Sequence, residues 1–278
     1  MRADDFAYLA RMLQRRSGLV LGQPKRHQIE NRLAPVIRRF GLKDIAALVD
    51  ELRHGREALA RAVTETMTTN ESSFFRDRAS FEQFHNAVLP ELIRARKKTK
   101  RLRIWSAACS AGQEPYSIAM LLNEMNLQQE GWHIDIVATD ISAEIIERAA
   151  QGLYSHFEVQ RGLPIRHLVE NFVQEGSNWR VSEHLRRMVT FRSFNLLDSF
   201  GWLDDIDAVF CRNVLMYFDQ RTKADVLDKM AEVLAPDGYL MLGSVETTQG
   251  LSYEFEPANE MAGVYRKSRR ASLRALTA

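Results

Sequence analysis

Cysteine is scarce in this 278-residue chain, which contains only two, Cys109 and Cys211. Two cysteines cannot form the set of several disulfides that stabilises small secreted proteins, and both lie at the ends of predicted strands. No apolar run reaches membrane-spanning length, and the first residues have no signal-peptide core. We therefore expect a reduced, cytoplasmic protein that does not insert into membranes.

Several common patterns of active-site chemistry are also missing. The seven histidines show no metal-ligand spacing, so we expect no metal. The sequence has neither a Gly-x-Gly-x-x-Gly loop nor a Gly-Lys-Ser/Thr ending, which argues against a cradle for nucleotide phosphates. No Cys-His or Ser-His-Asp pattern points to a covalent enzyme intermediate.

Net charge is small, at +2, but it is unevenly distributed. Residues 1–100 carry 20 Lys and Arg against 12 Asp and Glu, an excess of eight positive charges. The remainder carries 18 against 24, an excess of six negative charges. This asymmetry indicates two modules and an acidic partner for the first.

A loop of small residues after the first predicted strand organises the chain. The alternating residues 102–105 predict a buried strand, and residues 115–125 predict a helix. Between them, short side chains allow a ligand to approach the backbone, at the edge of the sheet where α/β proteins bind ligands. Glu114 would repel a pyrophosphate there and attract a cation such as S-adenosylmethionine. The alternative is a tight turn whose Glu114 is favoured by the helix dipole.

The periodicity predicts a helical front and an α/β remainder. We expect a helical domain at 1–70, a linker and connecting helix at 71–100, and an α/β domain at 101–278. Residues 154–190 interrupt the alternation of strands and helices, so we expect an inserted β-subdomain there. In it, residues 179–181 and 188–191 should form short antiparallel strands near the turn at 174–178.

Two further features each have two interpretations. Asp140 follows the second predicted strand of the α/β domain, where an acid can accept hydrogen bonds from ribose hydroxyls or cap the next helix. Lys25, Arg32 and Arg39 recur every seven residues beside an apolar helix face. This stripe could be a solvated surface or a docking site for an acidic partner.

Five short motifs together resemble the CheR-type chemotaxis receptor methyltransferases. They are Thr-Asn-Glu-Ser-Ser-Phe-Phe-Arg at 69–76, Ser-Ala-Gly-Gln-Glu-Pro-Tyr-Ser at 110–117, Ala-Thr-Asp-Ile at 138–141, Phe-Asn-Leu-Leu at 194–197, and Phe-Cys-Arg-Asn-Val-Leu-Met-Tyr-Phe at 210–218. Each motif is weak by itself, but five in this order over nearly the whole chain are highly specific.

The resemblance implies an α/β fold and a set of site residues. The fold would be a Rossmann-like methyltransferase sheet with an N-terminal all-α domain and an inserted antiparallel β-subdomain. By motif position, the cofactor contacts would be Asn70, Ser72, Arg76, Glu114, Asp140, Asn195, Leu196, Arg212 and Asn213. Arg76 and Tyr217 match positions proposed in the family to assist transfer.

The implied reaction transfers a methyl group from S-adenosylmethionine to glutamate side chains on the cytoplasmic helices of chemoreceptors. A glutamate is already ionised at pH 7, so no general base is required and catalysis is mostly positioning. We expect a monomer that docks the receptor through Lys25, Arg32 and Arg39 and binds no nucleic acid. The short turn near residue 176 argues against docking of a receptor tail peptide on the β-subdomain.

Two other functions fit parts of the pattern. One is a carboxyl methyltransferase for small molecules, and the other is a signalling module that binds the cofactor without transferring its methyl group. The basic helical domain, together with Arg76 and Tyr217, favours the receptor methyltransferase over both.

Overall fold

The structure is a computed structural model that describes residues 1–22, 26–68, 71–258 and 261–268. It divides into two compact units. The first comprises Met1–Asn70 together with Tyr217–Thr222, and the second comprises Glu71–Met216 and Lys223–Ala278. A short segment of the second half of the chain therefore belongs to the helical unit.

Over the described part of residues 1–68, the first unit is built from four amphipathic helices. They are α1 (Ala3–Ser17), α2 (Arg26–Arg39), α3 (Ile45–Arg53) and α4 (Glu57–Met67). Each contributes apolar side chains to one buried core, which includes Leu9, Leu13, Ile29, Leu33, Leu48 and Leu59, all at most 1% exposed. Pro35 lies inside α2, which continues through it. The expected helical front is confirmed.

Gly18 ends α1 where the segment Tyr217–Thr222 packs. Its φ of 75° is left-handed, a conformation that glycine adopts without steric cost. A Cβ on Gly18 would lie 2.9 Å from the ring of Phe218. Two hydrogen bonds tie the segment to the unit: Val20 N donates to Tyr217 O at 2.9 Å, and Gln14 Nε2 donates to Asp219 Oδ2 at 2.7 Å.

Within the described residues, the second unit contains two sheets and a further set of helices. Its strands are β1 (Arg101–Ala107), β2 (His133–Asp140), β3 (Leu153–Ser155), β4 (Phe172–Glu175), β5 (Asn178–Val181), β6 (Val189–Ser193), β7 (Ile206–Cys211), β8 (Leu234–Leu242), β9 (Phe255–Pro257) and β10 (Val264–Lys267). Its helices are α5 (Arg78–Gln83), α6 (Leu89–Ala95), α7 (Gln113–Glu124), α8 (Ala143–Gln151), α9 (His156–Gln160), α10 (Ile165–Asn171), α11 (Glu183–Arg186) and the part of α12 (Gln220–Val233) that follows Thr222. A π-helical turn spans Phe84–Val88, and a 3-10 turn spans Leu215–Tyr217.

The large sheet has the strand order β6-β2-β1-β7-β8-β10-β9. Its first five strands are parallel, and β10 and β9 are antiparallel additions. The chain runs from β1 outward through β2 to β6 and then returns to the other side of β1 with β7. Ligands of open α/β sheets bind outside the strand ends at such a reversal. The predicted fold class is confirmed, and its switch point lies between β1 and β7.

The inserted segment forms a three-stranded antiparallel sheet in the order β3-β5-β4. Here the expected strand pairing is wrong. β5 pairs with β4 across a two-residue turn at Gly176 and Ser177, and it also pairs with β3. Residues 189–193 form the edge strand of the large sheet, parallel to β2. An alternating pattern predicts a strand but does not specify its partner.

The connecting helix before β1 passes through Pro90. Pro90 has no N–H to donate to the residue one turn earlier, and a π-helical turn at Phe84–Val88 ends two residues before it. No described helix is both long and apolar enough to span a bilayer.

Candidate cofactor site at the carboxyl ends of the strands

The loop between β1 and α7 leaves its backbone close to the sheet edge. Ala108, Ser110 and Gly112 all have positive φ, at 57°, 52° and 92°. A Cβ on Gly112 would lie 3.0 Å from both the Ala149 Cβ and the Tyr154 hydroxyl, so only glycine fits there. The Ser110 N–H donates to Asp140 Oδ2 at 2.9 Å. A carboxylate of the protein itself therefore accepts from the loop, which does not suit a phosphate cradle.

Glu114 lies in the first turn of α7 and is largely buried. Its Oε1 accepts from the Ser106 hydroxyl at 2.8 Å, and its Oε2 accepts from Arg212 Nη1 at 3.1 Å. Burial raises the pKa of the Glu114 carboxyl, and the charge of the Arg212 guanidinium opposes that shift. Glu114 is thus a buried acid beside the small-residue loop, at the switch point of the sheet.

Arg212 follows β7 and connects three of the sequence motifs. Its side chain is 1% exposed and forms ion pairs with Glu114 and with Asp77 Oδ2, both at 3.1 Å. Its Nη2 also donates to the main-chain oxygen of Arg76 at 2.6 Å. The guanidinium lies 5.1 Å from the ring centre of Phe81. A buried charge needs such partners, and here they fix the backbone at Arg76.

Asp140 is the last residue of β2 and does not cap the next helix. Ser142 is the cap of α8, because its hydroxyl accepts from Ile145 N at 3.3 Å. Asp140 instead accepts from Ser142 N at 3.1 Å and from Ser110 N on the loop after β1. The helix-cap interpretation of Asp140 is wrong, and the carboxylate links the loops after two neighbouring strands.

Asn195 and Leu196 follow β6, beside the end of β2. Phe194 N donates to the main-chain oxygen of Asp140 at 2.8 Å. The Asn195 side chain accepts from Leu197 N at 3.1 Å and so shapes its own turn, while Leu196 is 8% exposed. These residues lie on the same edge of the sheet as Asp140.

Asn213 has a left-handed backbone, with φ of 59°. Its N–H donates to Glu246 Oε2 at 2.7 Å. Glu246 follows β8 and is 9% exposed. Sequence reasoning missed both Glu246 and Asp77. The rule that selected Asp140, an acid just beyond a strand, applies equally to Glu246, whereas no sequence signal marks Asp77.

Arg76 and Ser72 are both half-buried in the second unit, and Arg76 Nη1 donates to Glu71 O at 2.8 Å. Asn70 and Lys25 lie outside the described residues. Tyr217, Arg32 and Arg39 belong to the first unit. The Tyr217 side chain packs against the helical core. The structure thus brings together the predicted residues that follow β1, β2, β6 and β7.

Residues 4–68 match the all-alpha domain of CheR methyltransferase, and residues 70–264 match the SAM binding domain of the same enzyme. The chain belongs to the CheR methyltransferase family. It is 40% identical over 265 residues to chemotaxis protein methyltransferase Cher2 of Pseudomonas putida, covering 94% of this chain and 96% of that protein. It is also 40% identical over 264 residues to chemotaxis protein methyltransferase 1 of Pseudomonas aeruginosa, with the same coverage. Chemotaxis protein methyltransferase of Escherichia coli is 34% identical over 260 residues, which cover 90% and 86% of the two chains.

The residues at the strand ends fit the cofactor that this CheR domain binds. S-adenosylmethionine carries an ammonium and a sulfonium, and a largely buried carboxylate, Glu114, lies beside the loop of short side chains. The ribose hydroxyls of S-adenosylmethionine need hydrogen-bond acceptors. Asp140 lies at the strand end where nucleoside-binding folds place an acceptor. This protein is therefore an S-adenosylmethionine-dependent methyltransferase. Within the described ranges, no group of three or more His, Cys, Asp or Glu side chains is arranged to hold a metal ion.

Proposed function

We propose that this protein transfers methyl groups from S-adenosylmethionine to glutamate side chains of chemoreceptors, forming methyl esters in chemotaxis adaptation. One observation carries the proposal. Both domains of the CheR family are present in order over residues 4–264, and the similar proteins are chemotaxis protein methyltransferases along most of their length. A small-molecule methyltransferase would have no evident use for the helical domain.

The site suits a displacement that depends on positioning. When bound, S-adenosylmethionine supplies a methyl group attached to a sulfonium sulfur. After transfer of the methyl group, that sulfur is part of a neutral thioether. A glutamate acceptor is ionised at pH 7, so it needs no base. Glu114 and Asp140 would hold the ammonium and the ribose, respectively. Arg212, Asn213, Asn195 and Leu196 would line the rest of the cofactor site, with Asn70 and Ser72 from the preceding motif.

Arg76 is proposed to hold the acceptor carboxylate or the cofactor, and Tyr217 to orient either through its hydroxyl. The buried Arg212 supports this role for Arg76, because its hydrogen bond holds the Arg76 main chain in place. Arg76 itself is only half-buried. A guanidinium can bind a carboxylate through two parallel hydrogen bonds, which would orient the attacking oxygen.

The helical domain is proposed to dock the receptor through Lys25, Arg32 and Arg39. Arg32 and Arg39 are exposed on α2, whose buried side carries Leu33 and Val36. Arg39 also lines a surface cleft of about 440 Å³, whose lining includes Arg61 and the two acids Glu57 and Glu65. Positive side chains on this helix complement a glutamate-bearing helical bundle.

The test is transfer of labelled methyl groups from S-adenosylmethionine to membranes that contain candidate receptors, scored as base-labile methyl ester. We expect label on the receptor. Label only on small carboxylic acids would instead support a small-molecule enzyme. Cofactor binding without transfer to any acceptor would support a signalling module.

Variants at Arg76 and Tyr217 test the proposed transfer step. Arg76→Ala and Tyr217→Phe should lower kcat by at least about tenfold, while the Kd for S-adenosylhomocysteine changes much less. Glu114 and Asp140 remain to hold the cofactor in both variants. Steady-state kinetics and calorimetry on the same preparations make the comparison. A change confined to the Kd would make these two residues cofactor contacts only.

A further inference from the structure

Glu246 accepts three main-chain hydrogen bonds at the end of the large sheet. Its Oε2 accepts from Asn213 N at 2.7 Å and from Gly243 N at 2.9 Å. Its Oε1 accepts from Met216 N at 3.2 Å. One carboxylate, 9% exposed, therefore joins the loops that follow the neighbouring parallel strands β7 and β8.

The residues around the Glu246 carboxylate are tightly packed. A Cβ on Gly243 would lie 2.8 Å from Glu246 Oε2 and 2.8 Å from Asn213 Nδ2. Asn213 has the left-handed φ of 59°, which an L-residue keeps only when its surroundings hold it there. Both carboxylate oxygens act as acceptors, so a glutamine would have to turn its NH₂ toward an N–H donor.

We infer that Glu246 is a positioning residue for the cofactor site. It holds the backbone of Asn213, which follows the buried Arg212, and of Met216, which precedes Tyr217. Arg212 and Asn213 are proposed cofactor contacts and Tyr217 a proposed catalytic residue, so the inference rests on the proposed function. The Glu246 oxygens are occupied by main-chain donors, so its role is exerted through this loop.

Three variants of the full chain test the inference by calorimetry with S-adenosylhomocysteine. Glu246→Gln removes the charge and one acceptor oxygen. Glu246→Asp keeps the charge but is too short to span the two loops. Glu256→Gln is the matched control, because Glu256 is exposed on β9. We expect the Kd to rise about tenfold or more in both Glu246 variants at a stoichiometry near one, and to stay unchanged in the control.

Hydrogen–deuterium exchange on the same variants locates the effect. Amides of residues 213–216 should exchange faster in both Glu246 variants, while those of β7 and β8 keep their protection. This separates a displaced loop from a loss of the whole fold.

Several results would overturn the inference. An unchanged Kd with a lower Tm or a lower stoichiometry would make Glu246 a residue of general stability, as would failure of both variants to fold. If Glu246→Asp kept full affinity while Glu246→Gln lost it, the negative charge at residue 246 would support binding, and not its reach between the two loops. If the wild-type chain does not bind S-adenosylhomocysteine at all, the proposed function fails, whatever Glu246 does.

Discussion

Asp140 combines a predicted ligand role with an observed structural one. Its carboxylate accepts from Ser110 N and Ser142 N, so the residue holds two loops through bonds within the protein. Removing an acceptor from a buried N–H costs about 1–3 kcal/mol. A variant at this position must therefore be measured for stability as well as for binding.

We expect Asp140→Ala to weaken S-adenosylhomocysteine binding more than Asp140→Asn, which keeps one acceptor oxygen. Both should lower the Tm, the alanine variant more. Calorimetry and thermal unfolding give the two quantities. Ser142→Ala is the control: it removes the cap of α8, costs about 0.5–2 kcal/mol of stability, and should leave the Kd unchanged. Equal affinity in Asp140→Ala and wild type would contradict the assignment.

Glu114 should make cofactor binding depend on pH. Its pKa is raised from the ordinary value of 4.5, first by burial. The folded chain then holds this proton at pH values where the unfolded chain has lost it, so ionisation lowers the free energy of unfolding as the pH rises through that range. A bound ammonium requires the ionised form. Affinity for S-adenosylhomocysteine should therefore begin to fall at a pH above 4.5 as the solution is acidified.

The measurement is the Kd at a series of pH values for wild type and for Glu114→Gln. The variant should bind more weakly and without that pH dependence. An identical pH dependence in Glu114→Gln would assign the titration to another group.

At the scale of elements, the small antiparallel sheet packs against the second half of the motif at 69–76. The Phe74 ring packs edge-on against Tyr154 at 4.9 Å and against Phe172 at 5.6 Å. Phe75 N donates to the Ser117 hydroxyl on α7 at 3.0 Å. The β-subdomain is therefore part of what positions Arg76, whatever else it binds.

Variants at two glycines test this contact between the β-subdomain and Phe74. Gly162 has φ of +84°, and a Cβ there would lie 2.2 Å from Phe74 O. Gly176 has φ of +60° and nothing within 4 Å of such a Cβ. Gly176→Ala should cost about 1–2 kcal/mol, whereas Gly162→Ala should cost more and also lower methyl transfer per folded molecule. Urea unfolding and activity assays give both values. Equal effects in the two variants would mean that the contact with Phe74 is unimportant.

Strand pairing and loop contacts were harder to predict from the sequence than the helices and strands themselves. Apolar periodicity located α1, α2, α7 and the strands β1, β2 and β7, because burial on one face leaves a repeating mark. The partner of β6 leaves no such mark, and it was assigned wrongly. The position of Asp140 was predictable from the strand end, but its two backbone donors come from loop geometry. Glu246 also follows a strand, so the same rule could have found it, but its main-chain N–H partners leave no mark in the residue types.

Over the whole molecule, positive charge is concentrated in residues 1–100, with an excess of eight. Arg32 and Arg39 are both exposed on α2, but they are not equivalent. Arg32 Nη2 donates to Thr68 O at 2.8 Å, so it also ties α2 to the end of α4. Because the Arg32→Glu variant loses this bond, we expect it to have a lower Tm.

Arg39→Glu, alone and with Lys25→Glu, should raise the apparent KM for receptor roughly threefold or more, while the Kd for the cofactor stays unchanged. The dependence of the rate on salt should weaken as well, because salt screens complementary surface charges. Lys98→Glu is the control, since it makes the same change in charge at an exposed position of the second unit. A KM that responds equally to Lys98→Glu and Arg39→Glu would indicate a general effect of net charge rather than docking.

The segment Tyr217–Thr222 also bears on how such enzymes can recombine. A crossover near residue 70 would give a chimera the four helices of one parent and the Tyr217–Thr222 segment of the other. Gly18 has no room for a side chain beside Phe218, and Asp219 accepts from Gln14, so the inherited parts must match in shape and in polarity. The helical unit is thus encoded by two separate pieces of sequence, so an exchange of residues 1–70 between relatives requires that residues 217–222 match the new helices.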